Sequence, residues 1–302
     1  MKKIVAHLRL MRPANIVTAI ADVLAGFAVS GAALQLFLSQ ETIAGTLLFS
    51  LLWLVLATIG LYGGGIVFND VFDAELDRKE RPERPIPSGE ASVLSASILG
   101  SLLFLIGIGA AWQVSLLSGI IALAVAGLAV LYDSWGKHQL IFGPVNMGLC
   151  RGGNLLLGVS VIPSAVQKFW FLALIPVIYI AAITMISRGE VHGGNRKALV
   201  GGAVIYGIIN LALVLLAIFS EVAWWQVLPF VTLFSYFIFP PLIKAMKEKK
   251  PQLIGKAVKA GVISLIILNA ALASAFAGWI FGAVVLLLLP VSLGIAKKFA
   301  VT

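Results

Sequence analysis

The chain has 302 residues, of which 60% are hydrophobic and only 12% are Asp, Glu, Lys or Arg, and its mean hydropathy is +1.04. A soluble domain carries about 25% charged residues, so this composition excludes a water-soluble enzyme and implies a multi-pass membrane protein. The single cysteine, Cys150, excludes an intramolecular disulfide, and three scattered histidines exclude a Cys/His zinc cluster. The net charge of +9 is gathered into short clusters between apolar runs, a pattern of membrane topology rather than of nucleic-acid binding.

A helix needs about 20 apolar residues to cross roughly 30 Å of hydrocarbon. Such runs cover 13–38, 42–69, 91–113, 115–134, 140–163, 168–188, 198–220 and 222–243. Residues 260–296 then form a long charge-free stretch, enough for two short crossings that turn near Ala277 and Gly278. The expectation is a single integral-membrane domain over 1–302, an all-α transmembrane helical bundle of nine or ten helices. Lys2, Lys3, Arg9 and Arg12 precede the first run, and cationic clusters follow the second, fourth, sixth and eighth. The positive-inside bias therefore places the N-terminus and these loops in the cytoplasm of a cell (inner) membrane. Met1-Lys2-Lys3 resembles the start of a signal peptide, but no small-residue cleavage site follows, so the first helix is expected to be retained.

The chemistry is concentrated after the second run, in the segment from Asn69 to Gly89. If the helix continues into it, Asp70, Asp73 and Asp77 stand at i, i+3 and i+7 and share one face. Three like charges repel unless a cation sits among them, and an oxygen-rich site with few protein ligands suits Mg²⁺ shared with substrate phosphates. A metal-bridged diphosphate is the natural ligand. A loop that only fixed topology would need cations, not carboxylates at helical spacing. Pro82, Pro85 and Pro87 then stop the helix and present Arg84 from a stiffened loop.

The run Asn-Asp-x-x-Asp-x-x-x-Asp over 69–77, followed by Arg-Pro-Ile-Pro-Ser-Gly over 84–89, resembles the first aspartate-rich signature of the UbiA superfamily of intramembrane prenyltransferases. Arg12-Pro13-x-Asn15 is similar to that family's opening, and Tyr132 to Lys137 resembles its Tyr-plus-Lys diphosphate contact. The resemblance implies a bundle, usually of nine spans, that transfers an isoprenyl group from a diphosphate to an aromatic or other lipophilic acceptor using Mg²⁺. By the same resemblance Asn69, Asp70, Asp73 and Asp77 hold Mg²⁺ and the diphosphate, the three aspartates being the catalytic set, while Arg84, Tyr132 and Lys137 contact phosphate oxygens. The expected partners are an isoprenyl diphosphate, a lipophilic acceptor and membrane lipid, with no nucleic acid.

The family's second aspartate-rich signature is expected after the sixth run. Residues 187–197 read Ser-Arg-Gly-Glu-Val-His-Gly-Gly-Asn-Arg-Lys and hold no aspartate. Glu190, His192 and Asn195 are the candidate ligands there, Glu190 being the one carboxylate, and Arg188, Arg196 and Lys197 are candidates to hold diphosphate by charge and hydrogen bonding. The alternative is a loop kept positive for topology alone, in a protein that binds isoprenoid diphosphates without turnover. A secondary transporter fits less well, because the acidic site lies at the membrane edge rather than the midplane.

Two further charges fall inside the hydrocarbon. Asp22 is ten residues past Arg12 and Arg151 eleven past Leu140, so at 1.5 Å per residue each lies about 15 Å deep. An unpaired charge there costs several kcal/mol, and the two are expected to face each other across the cavity, with Asn15 near them on the acceptor side. His7 and His138 are expected at the interface, Trp224 and Trp225 in an aromatic belt, and Cys150 in inert core. Gly63-Gly64-Gly65 lacks the Lys-Ser/Thr of a phosphate loop and fits close helix packing.

Overall fold

Prolines and serines punctuate the apolar runs, and they mark where several of the helices begin. The computed structural model describes residues 2–38, 41–188, 196–220 and 222–297, and every regular element among them is helical. The order is α1 (Lys2–Met11), α2 (Pro13–Val29), α3 (Ala32–Leu38), α4 (Glu41–Phe72), α5 (Ala74–Glu80), α6 (Val93–Trp112) and α7 (Leu116–Ser134). It continues with α8 (Phe142–Val159), α9 (Pro163–Phe169), α10 (Leu174–Ser187), α11 (Arg196–Phe219), α12 (Leu228–Glu248), α13 (Pro251–Leu286) and α14 (Leu288–Ala296). Pro13, Pro163 and Pro251 open their helices, where the missing N–H costs nothing. Ser92 and Ser95 form a reciprocal cap at the start of α6.

Seven helical segments among the described residues are long and apolar enough to cross a membrane, eight if the pair bent by 45° at Arg12 counts as one span. The more polar α8 is not among them, and the last segment, Pro251–Ala296, is divided at Gly278. Gly278 takes φ +82°, a conformation that favours glycine, and the Trp279 amide freed by the break donates to Gln226 Oε1 at 2.9 Å. The turn expected near Ala277 and Gly278 is therefore a sharp break in α13. The first run differs from expectation: 13–38 is not one helix, because Ser30 and Gly31, the latter at φ +85°, divide α2 from α3.

The helix α2 is the axis of the bundle, buried nearly all round and packed against α4, α8, α13 and α14. Small residues allow this. Gly26 of α2 and Gly158 of α8 face each other so closely that a Cβ on either would strike the backbone of the other helix. The outward faces carry exposed Leu, Ile and Phe, such as Phe49, Leu105 and Leu211, as a lipid-facing surface requires.

Beside that axis lies a buried polar network. Asp22 is fully buried and Arg151 is 2% exposed. They pair at 2.8 Å between Arg151 Nε and Asp22 Oδ2, and Arg151 Nη2 donates to Asp22 Oδ1 at 3.0 Å. Asp22 also accepts from Asn154 Nδ2 at 3.2 Å and Asn269 Nδ2 at 2.7 Å, while Arg151 donates to the side chain and carbonyl of Thr18. A charge pair in this setting is stable only when its remaining hydrogen-bonding capacity is largely met, and α2, α8 and α13 supply the partners. Replacing Arg151 by Met should destabilise the detergent-solubilised protein by about 3–5 kcal/mol, because Asp22 is left buried without its countercharge. The pair Asp22→Asn with Arg151→Met should recover much of that loss. Thermal unfolding of the three proteins checks it, and equal melting of Arg151→Met and wild type would contradict it.

Candidate active site

The helix α4 runs through the signature with only a local break. Phe72 is its last residue, Asp73 departs from helical geometry, and α5 resumes at Ala74. The hydrogen bonds from Asp73 N to Asn69 O and from Asp77 N to Asp73 O keep the register nearly helical. Asp70, Asp73 and Asp77 consequently point to one side, as their spacing requires. Asp70 and Asp77 are buried, at 4% and 3% exposure.

Each carboxylate meets a cation from elsewhere in the chain. Asp70 pairs with Arg12 at 2.5 Å and with Arg84 at 3.2 Å, Asp77 with Arg84 at 2.6 Å, and Asp73 with Lys137 at 2.5 Å. The backbone explains how they converge. Arg12 sits in the left-handed region at φ 44° between α1 and α2, just before Pro13, and Arg84 projects from the proline-rich turn after α5. Lys137 lies in a 3₁₀ turn following α7.

Inward of these pairs a cavity of about 250 Å³ descends between α4, α7 and α8. Arg12, Asn15, Asn69, Tyr132 and Asp133 line its mouth, and Tyr62 and Asn154 lie further along their helices. Asn69 donates to Asp133 Oδ1 at 2.8 Å, tying α4 to α7. Beneath, Arg151 stands over the Tyr62 ring at 5.2 Å from its centroid. Asn154 accepts from Thr58 and donates to Ala19 O and Asp22.

Of the residues singled out from the sequence, Asn69, Asp70, Asp73, Asp77, Arg84, Tyr132 and Lys137 gather at one end of the bundle together with Arg12 and Asn15. Arg188 donates to Gln139 O at 2.7 Å and so ties the end of α10 to the segment that carries Lys137. Arg196 and Lys197 are exposed at the start of α11. Glu190, His192 and Asn195 lie outside the described residues. Asp22 and Arg151 are paired with each other, and neither lines the cavity. Asp133 and Tyr62 were not anticipated. A lone acid closing an apolar helix, four residues before Lys137, was the available signal for Asp133.

The donors fit Mg²⁺ in kind, being hard carboxylate and amide oxygens at helical spacing. Among the described residues, however, no three His, Cys, Asp or Glu side chains converge on one point. The carboxylates face cations instead of each other, so holding a metal requires them to exchange partners.

A family model described as the UbiA prenyltransferase family matches residues 24–254. The chain is 36% identical over 163 residues to a digeranylgeranylglyceryl phosphate synthase of Methanothrix thermoacetophila, covering 54% of this chain and 57% of that protein. It spans about half the length of the curated relatives it matches. Its fold is similar to a solved structure of digeranylgeranylglyceryl phosphate synthase, with a TM-score of 0.63 at 21% identity over 92% of this chain and 99% of the other. It is also similar to a UbiA homolog from Archaeoglobus fulgidus bound to GPP and Mg²⁺, with a TM-score of 0.55 at 12% identity over 97% and 99% of the two chains. The packed helices, the matched model and the shared fold lead to one assignment: the chain belongs to the UbiA prenyltransferase family.

Proposed function

We propose that this protein transfers an isoprenyl group from an isoprenyl diphosphate to a lipophilic acceptor within the membrane, and that it does so with its N-terminus and diphosphate site on the cytoplasmic side. The observation that carries the reading is the ring of Asp70, Asp73 and Asp77 matched by Arg12, Arg84 and Lys137 at the mouth of a membrane-embedded cavity. A diphosphate entering there presents the anionic oxygens that three cations seek, and Arg12 and Arg84 are suited to grip it in paired hydrogen bonds. As these cations turn to phosphate, Asp70, Asp73 and Asp77 are freed of them, and with Asn69 they are the residues that would hold Mg²⁺. Bound Mg²⁺ would neutralise charge that builds on the departing diphosphate.

In the reaction the bond between the allylic carbon and the diphosphate oxygen breaks, and its electron pair leaves with the diphosphate. The acceptor's nucleophilic atom forms the new bond to that carbon and gives up its proton to the departed diphosphate. Arg84, Tyr132 and Lys137 stabilise the leaving group by charge and hydrogen bonding, and the enclosing helices keep water from the electron-poor carbon. Arg188, at the end of α10, and Arg196 and Lys197, at the start of α11, add positive charge, with Glu190, His192 and Asn195 as further candidate ligands. The name of the Methanothrix relative supports a lipid glyceryl phosphate as one acceptor class to assay. A second reading, diphosphate binding without transfer, is favoured by the absence of aspartate from 187–197.

Purified protein incubated with Mg²⁺, labelled isoprenyl diphosphates and lipid acceptors should form prenylated product. Asp70→Asn and Asp73→Asn should each lower that rate at least a hundredfold while the protein stays folded, a loss of about 2.7 kcal/mol in transition-state stabilisation. Wild-type rates in both variants would refute the mechanism. Saturable binding with no diphosphate release from any acceptor tested would favour the second reading.

A further inference from the structure

The cavity has a floor as well as a mouth, and Leu61, Tyr62, Val125 and Asn154 lie at the floor. On α4 its lining runs from Asn69 down to Tyr62 and Leu61, on α7 from Asp133 to Val125, and on α8 it ends at Asn154. Leu61 stands eight positions from Asn69 along α4, which at 1.5 Å per residue is roughly 12 Å of depth. An extended isoprene unit advances four carbon–carbon bonds of about 1.5 Å each along a zigzag, or roughly 5 Å. The space below the diphosphate site therefore matches about two isoprene units, in keeping with a cavity of about 250 Å³.

Nothing at the floor yields easily to a longer tail. Asn154 has its amide committed to Thr58, Ala19 and Asp22, and Arg151 stands against the Tyr62 ring while it is held by Asp22 and Thr18. To pass Tyr62, a hydrocarbon chain would have to part the buried ion pair or wedge open the close-packed apolar cluster of Leu54, Ala57, Leu61, Val125 and Leu157, and both are unfavourable.

We propose that Tyr62, with Val125 and Asn154 beside it, is the chain-length stop of this cavity, which accommodates about two isoprene units and gives no added contact to a longer tail. This rests on the diphosphate-site reading above. Tyr62 is a specificity-determining residue here, and Arg151 and Asp22 are positioning residues that hold the floor.

The test is isothermal titration of the detergent-solubilised full chain, with Mg²⁺, against dimethylallyl, geranyl, farnesyl and geranylgeranyl diphosphates. Affinity should rise at least tenfold from dimethylallyl to geranyl and change less than threefold beyond it. Tyr62→Ala, which leaves the ion pair in place, should move the plateau to farnesyl with at least a fivefold gain for that ligand and little change for dimethylallyl diphosphate. Val125→Ala opens the floor from the opposite helix and should move it the same way, so a folding failure in one variant leaves the other to decide. Steady gains through geranylgeranyl in wild type, or an unmoved plateau in a folded variant, would overturn the floor while leaving the diphosphate reading intact. No binding of any of the four ligands would overturn both.

Discussion

An ionised group buried in this bundle must find its counter-charge inside the protein, because hydrocarbon supplies none. That constraint shapes the molecule at two levels. Deep in the bundle it produces the Asp22 and Arg151 pair, in which one carboxylate takes hydrogen bonds from Arg151, Asn154 and Asn269. At the mouth of the cavity it produces the interleaved pairs of Asp70, Asp73 and Asp77 with Arg12, Arg84 and Lys137. The deep pair is closed on all sides and serves as structure. The pairs at the mouth adjoin a cavity, so their partners can be exchanged for those of a ligand.

This difference explains why similar chemistry plays two roles. Arg151 cannot leave Asp22 without exposing a charge to an apolar interior, a loss of several kcal/mol. Arg84, with 12% of its side chain exposed, and Asp73, with 19%, can turn toward an incoming anion and a cation at little such cost. A resting site assembled from its own opposite charges needs no bound ion to be stable, yet it holds in place the anionic and cationic groups that a metal diphosphate requires.

Much of this was legible in the sequence because the relevant signals are local. Long apolar runs announce spans, and Asp70, Asp73 and Asp77 lie on one face because helical spacing puts them there. Depth arithmetic also placed Asp22 and Arg151 level with each other, since rise per residue is nearly constant. What was not legible depends on three-dimensional convergence. Arg12 is 58 residues from Asp70 and Lys137 is 64 from Asp73, and no periodicity links them. The break after Val29 was hidden because Ser30 and Gly31 are ordinary in an apolar run, and only the left-handed Gly31 ends the helix. Asp133 and Tyr62 were overlooked for a similar reason: each is a single residue whose meaning comes from the cavity it borders.

The most direct test of the account is whether metal and diphosphate bind as one unit. Electron paramagnetic resonance of Mn²⁺, used in place of Mg²⁺, follows the free ion as purified protein is added with and without inorganic pyrophosphate. If Asp70, Asp73 and Asp77 are occupied by Arg12, Arg84 and Lys137 until an anion draws those cations away, the metal should bind weakly alone and at least tenfold more tightly to protein and pyrophosphate together than to either one. Equal metal affinity with and without pyrophosphate, or enhancement that persists in a folded protein carrying Asp70→Asn and Asp73→Asn, would contradict it.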